Sequence, residues 1–257
     1  MANDVTQSVT VTLPCGFLVD GKLQTSAVIK PMTGKTRKMI ARPQTRQNPS
    51  AIVDTILIEC VESIGAGTKM RKSIADAMFV ADRDALLLDI RKISMGKKIT
   101  SHLTCPSCNE KITISIDLDM DIPVKKLSDM DYKIEDGIVT FVIENKHLDY
   151  EAVFRLPTGS DQTAIAPILK KNPVEANYML YMRCLQSWND IERQDIDPEF
   201  FDTLPLNILD DLDSQYSEIL PGPVTRVPVN CVYCEAELPM GFEGSDFLFP
   251  QQRTGRT

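Results

Sequence analysis

Two cysteine pairs constrain the fold of this 257-residue chain more than any other feature. Each has the form Cys-x-x-Cys, with Cys105 and Cys108 in the first pair and Cys231 and Cys234 in the second. Two residues between cysteines let a tight turn direct both thiolates at one ion, so each pair can supply half of a tetrahedral site. The spacing predicts a four-cysteine zinc ribbon. Because 122 residues separate Cys108 from Cys231, the ribbon is split by an inserted subdomain.

Apolar residues alternate with polar ones beside both pairs, which is typical of β-hairpins with one buried face. Four thiolates fill a tetrahedral coordination sphere, so the predicted zinc is structural and not catalytic. The alternative is that one pair is a redox motif and the other a coincidence. His102 lies near the first pair and is interpreted as an exposed strand residue. The alternating residues are Ile112, Ile114, Ile116 and Leu118 around the first pair, and Val227, Val229, Leu238, Met240 and Phe242 around the second.

The predicted fold class is α+β: a split four-cysteine zinc ribbon with β-hairpins and an inserted, mainly helical subdomain. An N-terminal β-hairpin with helices is expected over residues 1–98, and the ribbon over 99–118 and 224–242. An α/β insertion is expected over 119–223, and residues 243–257 form a flexible or partner-docking tail.

Apolar stripes at helical spacing predict four main helices. One is capped by Ser50 and ends at Gly65, and a second is capped by Asp82 and ends at Gly96. A third starts at Asn172-Pro173 and carries Leu180, Cys184 and Trp188 on one face, and a fourth covers about 208–219. Alternating runs predict hairpins over 9–29 and 138–156, with His147 in the second turn.

Charge argues against a chain devoted to duplex DNA, because the net charge is −8 and the pI is about 4.9. Residues 1–110 carry a net +5 and residues 111–257 a net −13. The exception is a polar loop with four basic residues, which keeps a nucleic-acid-associated or regulatory zinc ribbon as the alternative function. These residues are Arg37, Lys38, Arg42 and Arg46.

Other features favour a non-enzymatic protein without a membrane span. The chain has two histidines, neither near a plausible nucleophile, so no catalytic residues are assigned. Cys60 and Cys184 lie on apolar helix faces and are interpreted as core residues. In the C-terminal tail, Phe247, Phe249 and Pro250 are candidate partner-binding residues.

The order of short motifs resembles the baseplate hub assembly proteins of T-even-like contractile phages. The resemblance covers about residues 9–242. It rests on Leu13-Pro14, the strand end Ile29-Lys30-Pro31-Met32-Thr33, the Asp82-Arg83 helix with Leu88 to Arg91 and Gly96, the first cysteine pair with its proline, Leu156-Pro157-Thr158-Gly159, and the closing cysteine pair.

The resemblance implies a structural or assembly protein of the baseplate hub, located in the virion tail and assembled in the host cytoplasm. Its implied partners are other hub, baseplate and tail proteins, and copies of itself. It implies no catalytic residue. The lack of an apolar stretch of membrane-spanning length and the acidic charge balance argue against a membrane and a nucleic acid as partners. A chaperone absent from the finished particle is a further alternative, because both roles need the same binding surfaces.

Overall fold

The computed structural model describes residues 7–19 and 21–241. Helices and strands are mixed along the chain, which confirms the α+β class. Buried apolar side chains of these residues form three hydrophobic clusters. One lies mainly in the N-terminal part, one mainly in the inserted segment, and one around the cysteine pairs. No helix among the described residues is long and apolar enough to cross a membrane.

An antiparallel sheet of four strands organises the N-terminal part. The first two strands form the expected hairpin, and a bulge interrupts their pairing between Thr12 and Phe17. Gly16 lies in this bulge with φ of 91°, a conformation that favours glycine. In spatial order the strands are β1 (Val9–Val19), β2 (Lys22–Ile29), β3 (Val61–Ile64) and β4 (Thr68–Lys69).

Helices cover this sheet and bury the apolar residues predicted from their spacing. They are α1 (Gly34–Ile40), α2 (Pro43–Arg46), α3 (Pro49–Cys60), α4 (Lys72–Ala77) and α5 (Val80–Met95).

The prediction for α3 was wrong at both ends. Asn48, not Ser50, caps the helix: its side chain accepts hydrogen bonds from the backbone of Ser50 and Ala51. The helix ends at Cys60 instead of Gly65, because the following four residues leave as β3 and pair with β2. Sequence periodicity alone does not contain this long-range pairing.

The prediction for α5 was right at its end and wrong at its start. Gly96 follows the last helical residue with φ of 87°. Phe79 holds the N-cap position, whereas Asp82 lies inside the first turn and is completely buried. Asp82 instead accepts hydrogen bonds from the backbone N–H groups of Cys15 and Gly16 in the β1 bulge, at 2.8 and 3.3 Å.

The first cysteine pair lies in the turn of a hairpin that follows α5 directly. Its strands are β5 (Lys98–Thr104) and β6 (Lys111–Asp117), which pair antiparallel throughout. In β6, Ile112, Ile114 and Ile116 are buried while the residues between them are exposed. The predicted period of two is therefore confirmed.

The inserted segment contains more sheet than expected, because five antiparallel strands pack against its helices. The elements are β7 (Val124–Lys125), β8 (Lys133–Glu135), β9 (Ile138–Asn145), β10 (Tyr150–Arg155), α6 (Gly159–Leu169), α7 (Pro173–Cys184), β11 (Leu185–Trp188), β12 (Ile191–Glu192), α8 (Phe200–Thr203), α9 (Leu206–Ile219) and β13 (Gly222–Pro223). In the sheet the strands run in the order β12, β11, β10, β9 and β8, while β7 pairs with β13.

Two predictions in this segment are confirmed and one is wrong. The hairpin of β9 and β10 forms with His147 in its turn. Asn172 caps α7 through a hydrogen bond from the backbone of Glu175. Trp188 does not share a helix face with Cys184, because α7 ends at Cys184 and Trp188 closes strand β11.

A second hairpin carries the closing cysteine pair. Its strands are β14 (Arg226–Asn230) and β15 (Glu237–Gly241), joined by antiparallel pairing over their full length. Leu238 and Cys231 bury their side chains in the same cluster as Ile99 and Ile112 of the first hairpin. The two hairpins therefore share one small core, although the whole inserted segment lies between them in sequence.

A buried arginine joins the N-terminal part to the inserted segment. Arg83 of α5 is fully buried, and its guanidinium reaches Asp54 Oδ1 at 2.9 Å and Gln162 Oε1 at 3.0 Å. It also donates to the carbonyl oxygen of Ala75. Gly159 lies against this group, so the start of α6 is fixed to α3, α4 and α5.

Candidate metal centre

The first cysteine turn is built by backbone hydrogen bonds that bring both thiols to one side. The N–H of Cys105 donates to the carbonyl of Glu110 at 2.9 Å, and the N–H of Asn109 donates to the carbonyl of Cys105 at 2.9 Å. Asn109 has φ of 60°, a left-handed conformation that asparagine tolerates better than most residues. This turn reverses the chain between β5 and β6.

The second turn repeats the same geometry residue by residue. Cys231 N–H donates to the carbonyl of Ala236 at 2.9 Å, and Glu235 N–H donates to the carbonyl of Cys231 at 2.9 Å. Glu235 has φ of 58° and is equivalent to the asparagine of the first turn. Two turns of identical construction therefore face each other, one at each end of the inserted segment.

All four sulfur atoms lie within 4.8 Å of one another. The Sγ atoms of Cys105 and Cys234 are 3.7 Å apart, as are those of Cys108 and Cys231. A tetrahedral ion with metal–sulfur bonds of about 2.3 Å places its sulfur ligands about 3.8 Å apart. The thiols thus fit a four-coordinate metal ion, and they form the one group of three or more metal-ligating side chains within residues 7–19 and 21–241.

The inner half of the thiol cluster is closed to solvent. Cys105 and Cys231 are buried, Cys108 is half-buried and Cys234 is exposed. Beneath them the shared core reaches Leu88 of α5, so the turns rest on a helix of the N-terminal part. A core of this size needs a further constraint to hold two hairpins together, and a bound ion would supply one.

The backbone around the first turn favours a thiolate, the form that binds metal. The N–H of Cys108 lowers the pKa of the Cys105 thiol, against the opposing effect of burial, and the N–H of Ser107 acts in the same direction, whereas burial and the neighbouring thiols raise the pKa of Cys108. Partial positive charge from amide groups therefore replaces the water that the buried sulfur loses.

Of the remaining predicted residues, those that the structure describes do not join this cluster. His102 is an exposed residue of β5, as expected, and its Nδ1 lies 2.9 Å from Thr113 Oγ1. The four basic residues of the predicted loop are exposed: Arg37 and Lys38 lie on α1, Arg46 on α2, and Arg42 at the N-cap of α2. Phe247, Phe249 and Pro250, the candidate partner-binding residues, lie outside the described residues.

Sequence reasoning missed the buried charged residues that hold the surrounding fold. Asp82, Arg83 and Asp161 are fully buried, and each contacts groups from another part of the chain. Asp161 accepts two hydrogen bonds from Arg155, at 2.7 and 2.9 Å. Although burial opposes it, this pairing lowers the pKa of Asp161 to about 2. A single sequence contains no periodic signal for such contacts.

Comparison with known proteins gives one match. A family profile described as T4 bacteriophage base plate protein matches residues 16–249, which is most of the chain and includes all four cysteines of the thiol cluster. No curated protein and no solved structure matches.

Proposed function

The chain belongs to the T4 bacteriophage base plate protein family, and on this premise we propose that it is a structural or assembly protein of the central hub region, stabilised by a structural zinc ion. Membership of this family indicates a virion tail component that associates with other baseplate and tail proteins. It also suggests a non-enzymatic role. The hub location rests on the motif resemblance, and the zinc on the geometry of the thiols.

The observation that carries the proposal is the position of the thiol cluster in the chain. Cys105 and Cys108 precede the inserted segment, and Cys231 and Cys234 follow it. An ion bound by all four thiols would cross-link the two ends of that segment. Four thiolates leave no position for water or substrate, so the ion would hold the fold and perform no chemistry.

Zinc is the proposed ion because thiolate ligands in a tetrahedral arrangement suit it best among the common divalent metals. Elemental analysis of the purified protein should give one zinc per chain. Cys105→Ser should lose the zinc, whereas Cys184→Ser, which changes a buried thiol outside the cluster, should retain it. Stoichiometric iron in place of zinc would contradict the assignment.

The role in the particle is tested by quantitative mass spectrometry of purified virions. A fixed ratio to the other tail proteins would support a structural component. Absence from virions together with copurification with hub intermediates would support the assembly chaperone. Absence from both would contradict the proposed function, whatever metal the protein binds.

The C-terminal residues Phe247, Phe249 and Pro250 are proposed to dock on a neighbouring baseplate or tail protein. The support is compositional: an apolar group lies in a segment with too few apolar residues to fold alone. Phe247→Ser combined with Phe249→Ser should reduce incorporation into particles without changing zinc content. Unchanged incorporation would remove these residues from the interface.

A further inference from the structure

One surface of this acidic protein is strongly basic. We call it the basic face; it consists of Arg37 and Lys38 on α1, Arg46 on α2, and Arg42 at the N-cap of α2. Residues 30–48 contain six lysines and arginines and no aspartate or glutamate. All four side chains of the basic face are exposed, and none takes part in an ion pair with a described residue.

The lysines next to the basic face, in contrast, do have acidic partners. Lys35 pairs with Glu59 at 2.9 Å, and Lys30 lies 3.7 Å from Glu62. Carboxylates of α3 and β3 are therefore already used by the cations next to the basic face. Four unneutralised charges on two adjacent short helices repel one another, so an external anionic surface would stabilise them.

A groove of opposite character lies between α7 and α8. Its volume is about 450 Å³, and Tyr178, Met179, Met182 and Phe201 supply its apolar lining. Three carboxylates, Glu175, Glu199 and Asp202, also line it, together with Arg193 and with Arg183, which is paired with Asp161. We call this feature, with the acidic strip described next, the acidic groove.

The acidic strip runs past the groove from β12 to α8. Its six carboxylates are all exposed and form no ion pair with a described residue. The one cation among them, Arg193, donates instead to the carbonyls of Met182 and Ile196. Burial raises the pKa of Tyr178, which lines the groove, and the negative charges of Asp213, Asp202 and Asp210 raise it further. The six are Asp190, Glu192, Asp195, Asp197, Glu199 and Asp202.

Helix α6 contacts the helix that follows the basic face and also lines the acidic groove. Thr163 Oγ1 lies 2.9 Å from Ser50 Oγ at the start of α3, which follows the basic face in sequence. The next residue, Ala164, lines the acidic groove. Helix α6 thus contacts the start of α3 and also lines the acidic groove, and no ion pair between the basic face and the acidic groove forms among the described residues.

We infer that the basic face of one copy of this chain binds the acidic groove of a second copy. The charges are complementary, and both sets lack partners within their own chain. The apolar lining adds a place for Pro43, which is exposed in the middle of the basic face. Nucleic acid fits less well, because it would neutralise the cations but leave the acidic groove unpaired and repelled.

The experiment is a charge-swap series on the full-length chain, followed by sedimentation velocity. Variant A is Arg42→Glu with Arg46→Glu, and variant B is Glu199→Lys with Asp202→Lys. Each alone should weaken self-association about tenfold or more, because like charges then face each other. Mixing A with B should restore association. The matched control is Lys133→Glu with Lys146→Glu, two exposed cations outside both surfaces, and it should associate like the wild type.

Salt dependence gives a second readout. Association should be strong at about 0.1 M salt and largely lost at about 1 M, because the Debye length is about 10 Å at the lower concentration and only about 3 Å at the higher one. A wild-type chain that stays monomeric at low salt would overturn the inference, as would association that A and B leave unchanged. Binding of a DNA duplex that requires the basic face, without self-association, would overturn it in favour of nucleic acid. None of these outcomes depends on zinc or on the baseplate role.

Discussion

Asp82 lies in an environment that does not suit a charged carboxylate. One carboxylate oxygen accepts the two backbone N–H groups of the β1 bulge, while Oδ2 has no hydrogen-bond partner. Burial raises the pKa of Asp82 to about 7, and the hydrogen bonds from Cys15 and Gly16 only partly oppose this rise. The protonated acid is therefore the form that the folded state favours.

This environment predicts how stability changes with pH. Because the folded pKa lies above the unfolded value, the contribution of Asp82 is fully present below about pH 4 and is lost as pH rises through about 7. Asp82→Asn keeps an acceptor for the bulge but cannot ionise. The difference in free energy of unfolding, variant minus wild type, should therefore increase by about 2 kcal/mol from pH 5 to pH 7, because only the wild type loses stability over this range.

Urea denaturation of both proteins from pH 5 to pH 8 measures this difference. Asp190→Asn, which makes the same change at an exposed aspartate in a turn, serves as the control. A difference for Asp82→Asn that stays constant over this range would show that the buried carboxyl does not titrate there.

Gly159 gives a second prediction at the scale of one residue. A Cβ at this position would overlap the Ala75 carbonyl oxygen and the guanidinium of Arg83, which its hydrogen bonds hold in place. Gly159→Ala should therefore lower the free energy of unfolding by about 2 kcal/mol or more. Gly34→Ala is a matched control: Gly34 also opens a helix after a threonine, but has no atom within 4 Å of the added Cβ. Chemical denaturation should show it to be neutral or slightly stabilising, and equal losses in both variants would contradict the packing argument.

At the scale of elements, we expect the two hairpins to depend on the ion proposed between them. Each has two strands, and such hairpins are marginal on their own. Removal of the metal by a chelator should release the amides of β5, β6, β14 and β15 to rapid hydrogen exchange. The amides of α3 should stay protected, because its buried apolar residues belong to the N-terminal cluster, which contains none of the four thiols.

Hydrogen exchange with mass spectrometry resolves these segments. Cys231→Ser should reproduce the effect without chelator, whereas Cys60→Ser should leave hairpin protection intact, because Cys60 lies in the N-terminal cluster. Hairpins that remain protected after complete metal removal would show that their own small core is sufficient.

Elements were predictable from sequence where a local pattern of residues specifies them. The hairpins follow from alternation, and the cysteine turns from two-residue spacing. Predictions failed where α3 and α7 pass directly into strands, after Cys60 and Cys184. Val61 and Leu185 continue the apolar spacing of the preceding helix, but pairing with β2 and β10 removes them from it. The thiol cluster was predictable because metal ligands must converge, whereas the contacts of Asp82 and Arg83 join residues far apart in sequence without any pattern.

At the scale of the whole molecule, α5 connects the three hydrophobic clusters. Ala81 belongs to the cluster of the inserted segment, Leu86, Leu87 and Ile90 to the N-terminal cluster, and Leu88 to the cluster beneath the thiols. Neighbouring residues of a helix point about 100° apart, so Leu87 and Leu88 face different clusters and one helix can serve three cores. Its Arg83 adds polar links to α3, α4 and α6. We therefore expect the clusters to unfold together.

The single tryptophan makes this cooperativity measurable, because Trp188 lies in the cluster of the inserted segment. In the wild type, its fluorescence and the far-UV circular dichroism should change at the same urea concentration. Arg83→Met should lower stability by about 3 kcal/mol or more, because it leaves Asp54 buried without its closest cation, and should separate the two transitions. Lys72→Met removes the other cation of Asp54, 3.1 Å away but half exposed, and should cost less than about 1 kcal/mol with the transitions still coincident. Separate transitions in the wild type would mean that α5 does not couple the clusters, and that the inserted segment is held mainly by the thiols at its two ends.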